Sequence, residues 1–206
     1  MSDDGRLWSG ETPLILASGS AIRRALIKAC AIPVEVMPAD IDERGLEYAL
    51  GPRGPREVAA NLAAAKAMAV SRAEPHRYVL GADQTLDFGG RRLDKPASRQ
   101  EAADHLVLLS GRAHQLHSGL ALAINGHAVW SHVETATLHM RPLSGAFIHD
   151  YLDAAGSAVT SSVGAYQIEG LGMHLFQKIE GDHTTIMGLP LLPLLRQLRN
   201  MGLLAD

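Results

Sequence analysis

Apolar and polar positions along the chain predict strands and helices that mix without strict alternation. Leu14-Ile15-Leu16-Ala17 is an apolar run of strand length. Ser18-Gly19-Ser20 turns it into a helix over about residues 21–31, with Ser20 as N-cap. Ile22, Leu26, Ile27 and Cys30 share that helix's inner face. A second strand over residues 33–37 leads into an acidic segment with Asp40, Asp42 and Glu43, read as a polar loop. A helix follows from Pro55 to Ala73, with Val58, Leu62, Ala65 and Ala69 as its inner stripe and Lys66 at the margin. In Tyr78 to Thr85, strand formers run into Gly81-Ala82 and then Asp83, which places this carboxylate at a strand's exit.

Leu86-Asp87-Phe88 and Arg92-Leu93 flank Gly89-Gly90 as a hairpin, and Pro96 keeps Lys95 extended. Ser98-Arg99-Gln100-Glu101 is a capping box opening a helix to about Leu109. Two long strands, 114–124 and 127–140, join at Asn125-Gly126, the strongest hairpin signal in the chain. Ser144 caps a helix that Gly156 ends, residues 164–172 form a glycine-rich loop, residues 173–179 and 184–187 read as strands, and Pro190 opens a closing helix. The expected architecture is a mixed α/β fold with helices on the faces of one sheet.

A chain of 206 residues, 47% apolar and 20% charged, has a globular composition, in one domain after a tail over residues 1–12. The net charge of −3 argues against coating nucleic acid or an anionic membrane, because both need a positive field. Cys30 alone allows no intrachain disulfide. The tail lacks the apolar core of a signal peptide and no later run is long enough for a bilayer, so a cytoplasmic protein is expected.

The candidate chemistry is that of a polyanion site. Arg23 and Arg24 stand in a first helical turn, where the dipole is already positive, and a helix end with two arginines suits a phosphate. Asp83 can hold a metal ion or take a proton from water, and Glu43 is a second acidic source. His114 and His117 are three apart on a strand and face opposite ways, so neither is assigned to a metal. Ser18 and Ser20 lie near a strand-to-helix turn but lack the Gly-x-Ser-x-Gly elbow of a serine hydrolase.

The order and spacing of Leu16-Ala17-Ser18-Gly19-Ser20, Arg23-Arg24, Asp42-Glu43, Lys66, Gly81-Ala82-Asp83, Lys95-Pro96, Ser110-Gly111, Gly164-Ala165-Tyr166, Glu169-Gly170 and Gly188-Leu189-Pro190 resemble the Maf family of septum-formation proteins. The resemblance implies an elongated mixed β-sheet flanked by helices, of the Maf and inosine-triphosphatase type. It also implies a homodimer and hydrolysis of a nucleoside triphosphate to monophosphate and pyrophosphate with a divalent cation, Mg²⁺ or Mn²⁺. Carried over by position, Asp83 matches the catalytic carboxylate, Glu43 the acidic residue that helps with metal or water, and Arg23, Lys66 and Lys95 the phosphate-facing cations, with Ser18 beside them. Gln84 and Glu169 resemble the branch acting on 7-methyl-GTP, whereas the dTTP and UTP branch shows Thr and Gln there. Glu169 could meet guanine N–H donors and a methylated, positive ring. Ile22 departs from that branch, which carries Trp at this position, so a broader set including UTP and CTP stays open beside 7-methyl-GTP. A nucleotide-binding regulator of cell division without turnover is the rival from another class.

Overall fold

In the computed structural model, which describes residues 7–205, the elements in chain order begin with β1 (Leu14–Leu16), α1 (Ala21–Ala29) and β2 (Val34–Val36). Then come α2 (Glu43–Leu50), α3 (Pro55–Ala73), β3 (Val79–Phe88), β4 (Arg91–Leu93) and α4 (Arg99–Leu109). The chain closes with β5 (Ala113–Ile124), β6 (His127–Met140), α5 (Gly145–Ala155), three short 3-10 turns, β7 (Phe176–Glu180), α6 (His183–Ile186) and α7 (Leu191–Asn200). Side-chain caps set the helix starts: Ser20, Ser98 and Ser144 each accept from the backbone N–H three residues on. None of the described helices is long and apolar enough to cross a membrane.

Four expectations need correction. Asp83 lies in the middle of β3, not at an exit, because Leu86–Phe88 pairs with β4 and β5 and carries the strand onward. Glu43 begins a helix rather than a loop, since the Asp42 carboxylate accepts from the Gly45 amide at 2.9 Å. Thr184 to Met187 is not a strand: Asp182 accepts from the amides of Thr184 and Thr185 and winds α6, overriding the β-branched pattern. The strand expected from Met173 starts only at Phe176, after a 3-10 turn over Leu171–Leu175.

The seven strands form one mixed sheet in the order β2-β1-β3-β5-β6-β7, with β4 added to β3. β1 runs parallel to β2 and β3, and the other pairs are antiparallel. Along one edge β3 pairs with β5 from Val79 to Asp87. Along the other, β1 covers it only to Leu80 and β4 begins only at Leu86, so residues 82–85 face a gap with no strand.

Helix α3 covers one face of the sheet. A Cβ at Gly81 would sit 2.0 Å from the Ala63 carbonyl oxygen, and one at Gly119 2.4 Å from that of Ala59, so only glycines let this helix lie directly on the strand backbone. The buried side chains of α3 are Pro55, Val58, Ala59, Leu62, Ala63, Ala67, Val70 and Ser71. The expected Ala65 and Ala69 are only partly buried, because a helix so rich in alanine does not mark its own face.

The opposite face of the sheet carries two apolar clusters. Leu80, Ala82, Leu120 and Leu122 pack with Leu194 and Leu198 of α7, and Leu86 and Leu116 pack with Leu106 of α4 and Leu152 of α5. Between them, register partners Gln84 and Ser118 make a polar seam. Within the expected tail, the Ser9 amide donates to the Leu203 carbonyl and the Ala205 amide to that of Leu7, which ties this segment to the chain's other end; residues 1–6 lie outside the described residues.

Candidate active site

Alternation along β3 turns Gly81, Asp83 and Thr85 toward α3. Thr85 donates to the Pro55 carbonyl at the helix start, 2.8 Å. About one turn beyond Leu62, Lys66 extends its stem along this interface. Its Nζ lies 2.6 Å from Asp83 Oδ1 and 2.8 Å from Glu43 Oε1, so a strand, a long helix and the first residue of a short helix converge on one ammonium. Asp83 is 8% exposed. Burial pushes its carboxyl above the usual range, and Lys66 and Arg23 only partly offset this.

These groups line a cavity of about 900 Å³ that wraps the open edge of β3, of a size that accommodates a nucleotide. Ser18, Ile22, Arg23, Gln84, Lys95 and Glu169 line it too. Lys95 and Glu169 are exposed, and neither takes part in an ion pair among the described residues. Arg24 is exposed and is not among the lining residues, a departure from the expected pair of arginines. Consecutive helical residues point about 100° apart, so only Arg23 turns inward.

Arg23 is partly committed to the fold. Its Nε donates to the Gly188 carbonyl at 2.9 Å, and its Nη1 donates to Ser18 Oγ at 3.1 Å and to the Ala82 carbonyl at 2.7 Å. The last of these bonds occupies the strand gap, where a neighbouring strand would otherwise satisfy Ala82. Burial pulls the guanidinium below its ordinary value against the pull of Asp83 and Glu43. Nη2 is left for a ligand. Gln84 is similarly committed: its Nε2 lies 2.9 Å from Ser118 Oγ and 3.0 Å from the carbonyls of Thr185 and Ile186, which fixes the loop beside the cavity and leaves Oε1 as acceptor.

The far wall is the 161–169 segment. Gly164 and Ala165 both take positive φ, 78° and 64°, and this double turn drives the buried Tyr166 ring inward, where its hydroxyl meets His114 Nε2 at 2.6 Å. Burial pulls His114 down to about 4, so the imidazole is neutral, and its tautomer sets which partner of this bond donates. His117 points the other way, to Thr135 and Asp87.

The Maf-like protein family matches residues 13–201, nearly the whole chain, including every element that contributes to this cavity. The chain belongs to the Maf family. A nucleoside triphosphate pyrophosphatase of Nitrobacter winogradskyi is 53% identical over 199 residues, covering 97% of this chain and 98% of that one. A 7-methyl-GTP pyrophosphatase of Mesorhizobium japonicum is 50% identical over 191 residues, 92% and 96% of the two chains. Among solved structures, a HAM1 protein from Coxiella burnetii aligns over 92% of this chain and 97% of that one at 16% identity, with a TM-score of 0.46.

Several lining residues of this Maf protein escaped the reading of the sequence, Tyr166, Arg92 and Glu47 among them. Tyr166 stands inside a motif of the resemblance but looked like part of a glycine-rich loop. Arg92 lines the cavity from β4, two positions after a Gly-Gly turn, with no motif to mark it.

Proposed function

We propose that this Maf protein is a nucleoside triphosphate pyrophosphatase, acting as a cytoplasmic homodimer, that cleaves between the α- and β-phosphorus and prefers 7-methyl-GTP. The observation that carries the reading is the Lys66 ammonium held between Asp83 and Glu43 on the wall of a cavity that also presents Arg23 and Lys95. A triphosphate brings several negative charges, and these cations grip it and take up charge developing on the departing pyrophosphate. Lys66 has three donors and keeps one beyond its two carboxylates. Asp83 accepts the proton of the attacking water, a role suited by a carboxyl whose affinity for protons burial has raised.

Mg²⁺ typically takes one or two protein carboxylates and completes its shell with waters and substrate phosphates. Asp83 and Glu43, both in contact with one ammonium, are a donor pair of that kind. Bound there, a divalent ion would neutralise phosphate charge and act as a Lewis acid. Ser18 and Arg23 orient the phosphate end, and the buried Tyr166 wall keeps solvent from one side.

The acid limb of the pH profile of kcat/KM is expected above the ordinary carboxylate range, because Asp83 must be deprotonated in the free enzyme and its burial favours the protonated form. Initial rates across pH 4 to 9 check this; a limb centred near an ordinary carboxylate value would remove Asp83 as base.

For the base, Glu169 supports 7-methyl-GTP, as does the Mesorhizobium relative's name. Ile22, an aliphatic side chain on the cavity wall, favours a second reading with UTP and CTP, since it offers a methylated base no cation–π face. Pyrophosphate release from 7-methyl-GTP, GTP, dTTP, UTP and CTP with Mg²⁺ or Mn²⁺ decides. The highest kcat/KM is expected for 7-methyl-GTP; a strong dTTP preference would defeat the assignment, and binding without turnover of any nucleotide would defeat the enzyme reading itself.

A further inference from the structure

Helix α2 is an unusual carrier for a reacting group. None of its residues is buried, Tyr48 is 91% exposed, and the helix ends at Gly51 with φ of 69°. Behind it a separate cavity of about 160 Å³, bounded by Leu50, Pro55 and Gly90, separates its C-terminal end from the body. Apolar packing, limited to the partly buried Leu46 and Leu50, therefore holds the helix only weakly, yet its first residue is Glu43, whose carboxylate must stand within hydrogen-bond reach of Lys66. Ion pairs supply the rest of its attachment. Glu43 and Glu47 are four residues apart, on one face. Glu43 meets Lys66, and one turn on Glu47 Oε2 accepts from Arg92 Nη1 at 2.7 Å.

We propose that Glu47 and Arg92 are positioning residues whose ion pair pins α2 so that Glu43 stands over Lys66 and Asp83. The inference rests on the pyrophosphatase reading for its catalytic readout. Arg92 is itself anchored: it lies on β4 opposite Asp87 of β3, and its Nε donates to Asp94 Oδ1 at 2.9 Å. The side chains of Arg92 and Glu47 are 27% and 23% exposed, so solvent screens this pair less than a fully exposed one. One helix face thus rests on two cations, one from α3 and one from β4. With the outer pair gone, the helix swings about Gly51 at its end and carries Glu43 with it. Arg92 also lines the main cavity, and a direct grip on phosphate is the competing role. Glu47 separates the two. Removing its charge frees Arg92, which strengthens a direct grip but undoes a positioning pair.

The test measures Glu47→Gln and Arg92→Met, each alone and in a Glu43→Gln background, at saturating nucleotide and metal. Each single change is expected to lower kcat about tenfold with little change in KM, the size of loss typical when the support of a reacting group is removed. In the Glu43→Gln background neither change should cost a further twofold, because both act through Glu43. Arg92→Lys, which keeps the ion pair, should recover most of the loss. Hydrogen exchange over residues 43–50 should rise in Glu47→Gln and Arg92→Met. Losses that multiply with Glu43→Gln, a lowered KM with kcat kept in Glu47→Gln, or unchanged exchange would each overturn the proposal. Exchange is read without substrate, so an inactive wild-type protein sinks the pyrophosphatase reading while the pinning of α2 is still judged.

Discussion

Asp83→Asn is expected to lower kcat for pyrophosphate release by about a thousandfold, within the range for loss of a general base, while leaving the fold no less stable. The two halves of this expectation share one cause. Asp83 is buried against α3, and despite Lys66 its carboxyl is shifted upward from 3.8. A carboxyl whose folded value exceeds its unfolded one is protonated more readily in the native state, so its ionisation at neutral pH opposes folding, and stability rises as pH falls through the folded value. Asn mimics the protonated form. The variant's unfolding midpoint should therefore equal or exceed the wild type's at pH 7, and the difference should shrink as pH falls toward the unfolded value. Rates with 7-methyl-GTP and paired denaturation curves at two pH values check both halves. Hydrolysis undiminished in Asp83→Asn would remove the carboxylate from the reaction, and a marked loss of stability at pH 7 would show that the Lys66 contact outweighs burial.

Gly81→Ala is expected to damage both stability and turnover. The added methyl would lie 2.0 Å from the Ala63 carbonyl oxygen and 2.7 Å from the Ala67 amide nitrogen, both backbone atoms that move only if α3 moves. Overpacking of this kind costs about 3 kcal/mol, which corresponds to a fall in Tm of about 6–12 °C in a chain of this size. Lifting α3 also withdraws Lys66 from Asp83, and a displacement of about 1 Å at a reacting group costs about a hundredfold in rate. Gly145→Ala, where nothing lies within 4 Å of the added carbon, serves as control and should leave Tm and kcat unchanged. Calorimetry and steady-state rates on both variants provide the comparison. A Gly81→Ala protein with wild-type Tm would mean that the helix does not rest on the strand backbone.

Local chemistry made much of this fold legible. Ser20, Ser98 and Ser144 mark helix starts by hydrogen bonds within one turn, and Asn125-Gly126 is a hairpin whose positive φ values, 52° and 78°, few other residue pairs adopt. The elements misread from sequence are those decided by distant contacts, by none, or by a cap that competes with the side-chain pattern. Helix α2 fully buries no side chain and has only Leu46 and Leu50 as an apolar pair one turn apart, too short a stripe to announce it. Thr184-Thr185-Ile186 reads as a strand until Asp182 takes its amides. In alanine-rich α3, the face is chosen by Gly81 and Gly119 on the sheet rather than by its own residues. The candidate site follows the same division. The resemblance picked out Asp83, Glu43 and Lys66, which the fold brings into contact, whereas pairwise spacing could not tell that Arg24 turns away, that Arg23 spends three donors on the protein, or that Arg92 braces Glu47.

The uncovered stretch of β3 between Leu80 and Leu86 has a consequence for how such a site comes to exist. Its doorway is a mismatch in strand length: β1 stops after three residues and β4 starts late, and a guanidinium fills in as a surrogate neighbour for the Ala82 carbonyl. A β1 about five residues longer, kept in the register that pairs Leu16 with Leu80, would seal the sheet, satisfy Ala82 with main chain, and leave Asp83 and Lys66 as an inaccessible interior ion pair. Hydrolytic capacity in this architecture is thus bounded by where one short strand ends, independently of which side chains the neighbouring positions carry.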